Sequence, residues 1–500
     1  MSDKKNIQRP NFLLVILDAT RADACSCYEA FARHGALAPT TPNLDRLAAT
    51  GLLYEQASAS APWTLPALAS ILTGLYPSQL KIYEQRTLDA AYPTLFQLLG
   101  AAGYATFAIG KNSWLSKDFG LTRGVGRMHR LWQWFQSEDE ITVGKLAELH
   151  RGRSLYGHLL KEMLGGNVFK NALNLVYHRY WNRVDDGAIR MIAPVTHWIA
   201  EQQQPWFAMV HFLEAHLPYQ PPPQWVTRFA HDPARVAKLR KSDQWRLAWR
   251  HIARKEVLSA ADLQAWRDLY LAEVAYQDHY LGQLLAAMEQ SGQLANTCLI
   301  IVADHGENLG EHGLLNHQYS LHETLLHVPM LIRLPTTMSM PVERIAWPVQ
   351  SLDLFRTILD LAAVPAPHET SRNLLPAATP RPFVVAEYGR PQVPHAALLA
   401  RYGLQPQDLA PFSRGLRTLR TERYKLCESS DGGTELFDLA DDPDEAVNLA
   451  AIEPQPLAAL QQQLRTWEAA HDATEISAVQ ADLQVNAALR ARLQALGYID

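Results

Sequence analysis

The first strong pattern in the chain is an unbroken apolar run near its start. Residues 11–17 read Asn-Phe-Leu-Leu-Val-Ile-Leu, and the run stops at Asp18. A short apolar run without polar alternation is typical of a strand that is buried on both faces, as in a parallel sheet. The pattern therefore predicts a strand at 11–17 with a carboxylate at its carboxyl end, where open α/β sheets place their chemistry.

Similar apolar runs recur along the first two thirds of the chain, and segments with helical periodicity separate them. Strands are predicted at 105–109, 206–211, 297–303 and 329–334. Helices are predicted at 43–50, 66–72, 92–102 and 261–290. This alternation of strands and helices favours an α/β fold, in which a large mixed sheet is sandwiched between helices.

The pattern changes after a proline-rich stretch at 365–382. Short strands are predicted there at 383–387, 416–421, 424–428 and 435–438, and a helix at 455–470. Short strands followed by helices are typical of a separate α+β unit. We therefore expect a large α/β domain at 1–370 and a small α+β domain at 371–500.

The segment from about 123 to 204 differs from its surroundings. It is rich in Trp, His and Arg, and it carries helical patterns such as the one at 155–180. We expect a helical insertion in the large domain. Amphipathic stripes of this kind most often pack on their own domain, but they also fit contact with an apolar substrate or a membrane surface.

Composition excludes several classes of protein. The 500 residues carry a formal net charge of −5, with acidic and basic residues spread along the chain. This distribution does not predict the basic surface that binds nucleic acid. No apolar stretch reaches the length of a transmembrane span, and the run at 12–17 is too short for a secretion signal. The chain has four cysteines, Cys25, Cys27, Cys298 and Cys427. Their spacing matches neither a zinc cluster nor a disulfide framework. We therefore expect a cytoplasmic protein with reduced cysteines.

Three separate segments place polar side chains at the ends of predicted elements. Asp18 ends the first strand, Thr64 precedes a helix, and the pair Asp304-His305 follows the strand at 297–303. Alone, a carboxylate or a threonine here is most often a helix cap, and an Asp-His pair is often a hydrogen-bonded loop. Together the residues supply two carboxylates, an imidazole and a hydroxyl, a set that suits one divalent metal ion.

The same segments resemble the sulfatase family, in the family's order along the chain. The matching segments are 10–23 (PNFLLVILDATRAD), 41–51 (TPNLDRLAATG), 61–77 (APWTLPALASILTGLYP), 301–313 (IVADHGENLGEHG) and 435–443 (ELFDLADDP). Because they extend over nearly the whole chain, chance is a poor explanation. The resemblance implies an alkaline-phosphatase-like fold and a metal-dependent hydrolase of sulfate, phosphate or phosphonate esters.

The resemblance also implies a role for each matching residue. The metal ligands would be Asp18, Thr64, Asp304 and His305. The catalytic residues would be Thr64, Lys111, His216 and His317. Thr64 is at the nucleophile position, Lys111 falls where relatives bind an oxygen of the transferred group, and His216 would touch the transferred or leaving group. Arg21 and Asp23 would support the metal ligands.

Thr64 departs from the family pattern. Typical sulfatases carry Cys-x-Pro-Ser-Arg, whose Cys is oxidised to formylglycine, whereas residues 64–68 read Thr-Leu-Pro-Ala-Leu. A formylglycine hydrate can expel sulfate by elimination, but a threonine ester must be cleaved by water or by another acceptor. The sequence therefore favours phosphoester or phosphonate chemistry on a small-molecule ester substrate.

Ala19 is a second departure, because it replaces the second Asp of the family's usual pair. With fewer hard oxygen ligands and an imidazole at His305, zinc or manganese is favoured, and calcium stays open. Two other functions stay open as well, a catalytically inactive sulfatase-like binding protein and a transferase of a phospho-substituent. The sequence indicates neither the physiological substrate nor the oligomeric state.

Overall fold

The computed structural model of the protein describes residues 9–133, 136, 187–338, 342–376, 379–389 and 396–471. An eight-stranded sheet forms its centre, with the strand order β11-β2-β10-β7-β1-β6-β4-β5. These strands are β1 (Asn11–Leu17), β2 (Leu52–Tyr54), β4 (Ala105–Gly110), β5 (Arg127–Arg130), β6 (Trp206–Phe212), β7 (Thr297–Val302), β10 (Met330–Arg333) and β11 (Glu343–Ile345). Short pairs are β3 (Ala57–Ser58) with β12 (Val349–Gln350), and β8 (Asn308–Leu309) with β9 (Leu315–Asn316).

The central strands of this sheet run parallel. β1 pairs with β6 on one side and β7 on the other, with Val15 opposite Val210 and Ile301, and all its residues are buried. β4 continues the parallel arrangement beside β6, whereas β10 is antiparallel to β7 and makes the sheet mixed. Because β1, β4, β6 and β7 are parallel, their carboxyl ends meet at one edge of the sheet.

Helices flank the large sheet. They are α1 (Pro42–Ala48), α2 (Thr64–Thr73), α3 (Ile82–Gln85), α4 (Leu95–Ala101), α5 (Ala188–Ala200), α6 (Pro223–Phe229), α7 (Pro233–Arg240), α8 (Gln244–Ile252), α9 (Ala260–Gln290), α10 (Glu323–Leu326) and α11 (Asp353–Leu361). The long helix α9 begins at a capping box, in which Ser259 and Asp262 each accept the other's backbone N–H. Within the described ranges, no helix is both long and apolar enough to span a membrane.

A second sheet lies near the carboxyl terminus. It contains β13 (Val384–Tyr388), β14 (Leu416–Arg420), β15 (Tyr424–Ser429) and β16 (Thr434–Asp438), all antiparallel. α12 (Ala396–Arg401) precedes β14, and α13 (Pro454–Ala470) packs on the sheet through Leu464 and Trp467. Tyr76 and Leu352, from the larger part, join the same apolar cluster. The predicted fold class, a large α/β part with a small α+β part, is confirmed.

The predicted domain boundary near residue 370 stays a prediction. Most of the expected helical insertion at 123–204, including the pattern at 155–180, lies outside the described residues. Inside that range, 127–130 form the edge strand β5 and 188–200 form α5.

Candidate active site

The sheet edge at the carboxyl ends of the parallel strands carries a cluster of buried polar residues. Asp18 follows β1 directly, Asp304 and His305 follow β7, and Thr64 is the first residue of α2. None of these four side chains is more than 1% exposed. The fold therefore brings residues from three distant segments to one buried position.

The Nε2 atom of His305 lies at the centre of this cluster. It is 3.4 Å from Asp18 Oδ1, 3.6 Å from Asp304 Oδ2 and 3.3 Å from Thr64 Oγ1. The other ring nitrogen, Nδ1, donates to the Gly306 carbonyl oxygen at 2.8 Å, so that the Nε2 lone pair faces the carboxylates. The structure thus brings together all four residues predicted to bind the metal, and their role as ligands stays a prediction.

His211 is a member of this cluster that the sequence analysis missed. It lies on β6 and is fully buried, with Nε2 3.5 Å from Asp18 Oδ2. Ligand atoms of Asp18, His211 and Asp304 all lie within 4.8 Å of one another. Neither ring nitrogen has a hydrogen-bond partner among the described residues, and an unsatisfied buried group costs about 1–3 kcal/mol. The sequence signal was weak, because a lone histidine in an apolar strand is usually a core residue.

Asn112 also belongs to the site and was missed. Its Oδ1 accepts the backbone N–H of Trp114 at 3.0 Å, which fixes the orientation of the amide. The Nδ2 group then donates to Asp18 Oδ2 at 2.8 Å and lies 3.5 Å from Thr64 Oγ1. Asn112 therefore links the strand-end carboxylate to the hydroxyl of α2. Its neighbour Lys111, predicted to bind the substrate, is half-buried at the carboxyl end of β4.

The two other predicted catalytic residues continue the cluster as a row of rings. The ring centroids of His305 and His317 are 4.6 Å apart, and those of His317 and His216 are 4.8 Å apart. His317 Nδ1 lies 3.2 Å from Glu307 Oε2, whereas His216 Nδ1 donates to the Leu217 carbonyl oxygen at 2.6 Å. These contacts hold both rings beside the predicted metal ligands.

Burial controls the charges in the cluster. Burial raises the pKa of both carboxyl groups, Asp18 and Asp304, and repulsion from Asp304 raises that of Asp18 further. Burial lowers the pKa of His305 to about 3 and that of His211 to about 4. Both imidazoles are therefore neutral at pH 7, which is the form that binds metal ions.

This donor set fits a divalent metal ion. Asp18 Oδ1, Asp304 Oδ2 and both nitrogens of His211 have no hydrogen-bond partner within the described part of the chain. A cation would satisfy these atoms and offset the repulsion between the two carboxylates. The available donors are a mixture of nitrogen and oxygen atoms, which proteins use to bind divalent metal ions.

Arg21 connects two segments that carry residues of the site, the loop after β1 and the segment after β7. Its Nε and Nη2 donate to the two carboxylate oxygens of Asp23 at 2.8 and 2.7 Å. Its Nη1 donates to the Glu307 carbonyl oxygen at 3.1 Å and to Glu311 Oε1 at 2.9 Å. The loop after β1 is therefore tied to the segment after β7, which fits the supporting role predicted for Arg21 and Asp23.

Comparisons with known protein sequences give consistent matches. The sequence model of the sulfatase family matches residues 10–364. The model of the C-terminal region of N-sulphoglucosamine sulphohydrolase matches residues 310–470. The uncharacterized sulfatase YidJ from Escherichia coli (strain K12) is 25% identical over 457 residues, which cover 89% of this chain and 83% of YidJ.

Solved structures share the fold. The phosphonate monoester hydrolase of Agrobacterium radiobacter superposes with a TM-score of 0.66 at 22% identity, covering 93% of this chain and 96% of its own. The protein BT4656, solved in complex with its substrate D-glucosamine-2-N,6-O-disulfate, gives a TM-score of 0.65 at 18% identity, covering 94% and 99%. Because both sequence identities are below 25%, these two superpositions show a shared fold and nothing more.

Proposed function

The chain belongs to the sulfatase family, and we propose that it cleaves phosphate diesters or phosphonate monoesters of small molecules faster than sulfate esters. Family membership makes it a hydrolase of sulfuric or phosphoric esters. The observation that carries the finer proposal is that Thr64 Oγ1 lies 3.3 Å from His305 Nε2. The sequence resemblance aligns Thr64 with the family's modifiable cysteine. A threonine ester of sulfate has no elimination route, whereas a phosphothreonine can be attacked in line by water.

The position of Thr64 supports its assignment as the nucleophile. It begins α2, and the amino-terminal end of a helix favours the negative charge of a transferred phosphoryl group. Asn112, whose amide reaches both Asp18 and Thr64, restrains the hydroxyl group within the cluster. The nucleophile is therefore held in place before the substrate binds.

Two displacement steps account for the reaction. Thr64 Oγ1 would form a bond to phosphorus and lose its proton, while the bond from phosphorus to the leaving oxygen breaks and that oxygen takes up a proton. Water would then attack phosphorus, release Thr64 and restore its proton. His216 and His317, whose rings continue from His305, are placed to transfer these protons.

The metal would be held by the two carboxylates and the imidazoles around Thr64. We assign Asp18, Asp304, His305 and His211 as its ligands, with Thr64 completing the set, and zinc or manganese as the metal. Once bound, the metal would supply Lewis-acid chemistry, lowering the pKa of the hydroxyl group and polarising the transferred group. Lys111 would add positive charge toward an oxygen of the substrate.

A panel of chromogenic substrates tests the proposal. Sulfate, phosphate monoester, phosphate diester and phosphonate substrates are compared with the protein loaded with zinc, manganese or calcium. We expect Thr64→Ala to lose on the order of 10³-fold or more of the activity, and Thr64→Ser to keep part of it, because a hydroxyl remains. Thr73→Ala is the matched control, since Thr73 is equally buried at the other end of α2.

The same panel separates the other functions. Sulfate hydrolysis that is faster than any phosphoester hydrolysis and that survives Thr64→Ala would refute both the substrate class and the nucleophile. A protein that binds metal and product but turns over no substrate would be a binding protein. Turnover that requires an added alcohol acceptor would indicate a transferase.

A further inference from the structure

A second group of metal-binding side chains lies in a cleft between the segment after β7 and the small sheet. His312 is in the turn Glu311–Gly313, His322 directly precedes α10, and Glu445 follows β16. One ring nitrogen of each histidine and one oxygen of Glu445 all lie within 4.8 Å of one another. We propose that these three residues bind a second divalent transition-metal ion, of which zinc is the representative.

The two imidazole rings are already arranged side by side. Their centroids are 3.7 Å apart and their planes differ by only 10°. His322 Nδ1 lies 3.4 Å from Glu445 Oε2. Two rings stacked this closely cannot both be protonated without strong repulsion, and burial together with His322 lowers the pKa of His312. A neutral imidazole with an available lone pair is therefore present at neutral pH.

Glu445 has the capacity to act as a ligand. Its Oε1 lies 2.8 Å from Lys425 Nζ, whereas Oε2 accepts the backbone N–H of Glu323 at 2.6 Å and faces His322. A carboxylate oxygen has two acceptor positions, so Oε2 keeps one of them. Lys425 is also shared with Glu323 Oε1, at 2.9 Å, so its charge is divided between two carboxylates.

The donor set and the surroundings suit zinc. Two imidazoles and one carboxylate make three ligands, and a water molecule completes a tetrahedral zinc site. His312 is exposed, and His312 and Glu445 line a cleft of about 1010 Å³, which gives a hydrated ion access. His312 and Glu445 both adopt left-handed backbone conformations, with φ of 55° and 54°. Such conformations in residues other than glycine persist where the surroundings require them.

A metal ion here would connect the small sheet to the segment that carries part of the active site. Glu311, beside His312, accepts a hydrogen bond from Arg21, and Arg21 also holds the Glu307 carbonyl group. Glu307 in turn contacts His317. The second ion would therefore restrain residues 307–313, and its binding does not depend on the proposed reaction.

The test counts metal ions in full-length protein. The variant Asp18→Ala with Asp304→Ala removes the first cluster, and the protein is stripped with a chelator, equilibrated with zinc and freed of excess by gel filtration. We expect this variant to retain about one zinc per chain and to lose it when His312→Gln or His322→Gln is added. His197→Gln is the matched control, because His197 is an exposed imidazole that also contacts a carboxylate, that of Glu201 at 3.0 Å.

Thermal unfolding gives an independent readout. Zinc should raise the melting temperature of the Asp18→Ala, Asp304→Ala variant, since a ligand that binds the folded state stabilises it, and His322→Gln should abolish the shift. Circular dichroism verifies that each variant is folded. Zinc retained after both histidine substitutions, or no zinc bound by the folded Asp18→Ala, Asp304→Ala variant, would overturn the proposal.

Discussion

His211 adds an imidazole to the buried cluster of Asp18, Asp304 and His305. In this chain the family's usual second aspartate is absent. Ala19 follows Asp18 and has no side chain that can bind a metal, whereas His211 Nε2 lies 3.5 Å from Asp18 Oδ2. An imidazole in place of a carboxylate lowers the negative charge of the site and adds a nitrogen donor. Nitrogen donors favour zinc over calcium, so His211 also bears on the choice of metal.

Removal of this imidazole should weaken metal binding. We expect His211→Ala to lower zinc affinity by at least about 10–100-fold, the range seen even for residues that only orient a ligand. Zinc affinity is measured by competition with a chromogenic chelator in the His322→Gln background. In that background, zinc binding reflects only the cluster around Asp18 and Asp304. His251→Ala is the control, because His251 is also buried but binds the Leu258 N–H instead. Unchanged affinity in His211→Ala would make His211 a core residue only.

The cysteines provide a second test at the scale of single residues. All four are free thiols, and burial raises the pKa of Cys27, Cys298 and Cys427 to about 12 and that of Cys25 well above its usual value. At pH 8 almost none of each thiol is ionised in the folded protein. We expect negligible reaction with a thiol reagent in native buffer and rapid reaction of all four in urea, where the pKa returns to about 8.5. A fast-reacting thiol in the native protein would contradict this picture.

Residues at strand ends could be predicted, and residues inside strands could not. Asp18 and Asp304 end apolar runs, so the sequence indicates their place at the sheet edge. His211 lies within β6, opposite Ile16 of β1, and that register is set by pairing between distant segments. Asn112 was missed because its role depends on an amide orientation that Trp114 fixes.

At the scale of elements, α2 carries the proposed nucleophile and all its residues are buried. The helix ends at Gly74, whose φ of 71° is in the left-handed region. A methyl group at Gly74 would come within 2.6 Å of Phe355 Cδ1 and 2.7 Å of Ser371 Oγ. Both conformation and space therefore require glycine where α2 ends.

A pair of glycine substitutions separates these two requirements. Gly292 has φ of 72°, nearly the same as Gly74, but open space around it. We expect Gly292→Ala to destabilise the protein by about 1–2 kcal/mol through backbone conformation alone. Gly74→Ala should cost about 1–3 kcal/mol more, because the methyl group overpacks the core. Urea unfolding measures both, and equal losses would mean that the core at Gly74 adapts freely.

Long, strongly patterned elements were predicted better than short ones. β1 begins and ends at the predicted residues, and α9 begins one residue earlier than predicted. α2 was expected to begin after Thr64, but Thr64 is its first residue. The short helices α6, α7 and α8 were not predicted, nor were the three-residue strands β2 and β11 on one side of the sheet. Such short elements are stabilised mainly by distant neighbours rather than by their own sequence.

At the scale of the whole molecule, a buried ion cluster joins the two sheets. Lys425 on β15 lies 2.9 Å from Glu323 and 2.8 Å from Glu445, and Arg420 on β14 lies 3.2 Å from Glu323. Although burial acts to raise the pKa of Glu323, Lys425 and Arg420 lower it below its usual range. Glu323 belongs to α10, which follows the active-site segment, so the cluster fixes the small sheet to it.

This cluster predicts a pH dependence of stability. Because the pKa of Glu323 is lower in the folded state than its unfolded value near ~4.3, its stabilising effect is present above that pH and is lost as the pH falls below it. We expect Glu323→Gln to destabilise the protein by about 3–5 kcal/mol at pH 7 and by progressively less below about pH 4. The measurement is urea unfolding of both proteins across this range.

The control for this prediction is an exposed ion pair. Glu256 lies 2.8 Å from Arg250 and is 37% exposed, so Glu256→Gln should change the free energy of unfolding by less than about 1 kcal/mol at any pH. A Glu323→Gln effect that stays constant from pH 7 down to the acid range would show that packing, and not charge, accounts for the loss.

The packing of Tyr76 against Trp467 has a consequence for the evolution of the chain. Tyr76 lies three residues beyond the end of α2, and its ring meets that of Trp467 on α13 edge to face, with centroids 4.7 Å apart. The helix that begins with the proposed nucleophile therefore packs, just beyond its far end, against the carboxyl-terminal region. The two regions are therefore not interchangeable modules. A recombination event that exchanged only one of the two regions would have to restore the contact between Tyr76 and Trp467. Only then would the proposed nucleophile return to its position.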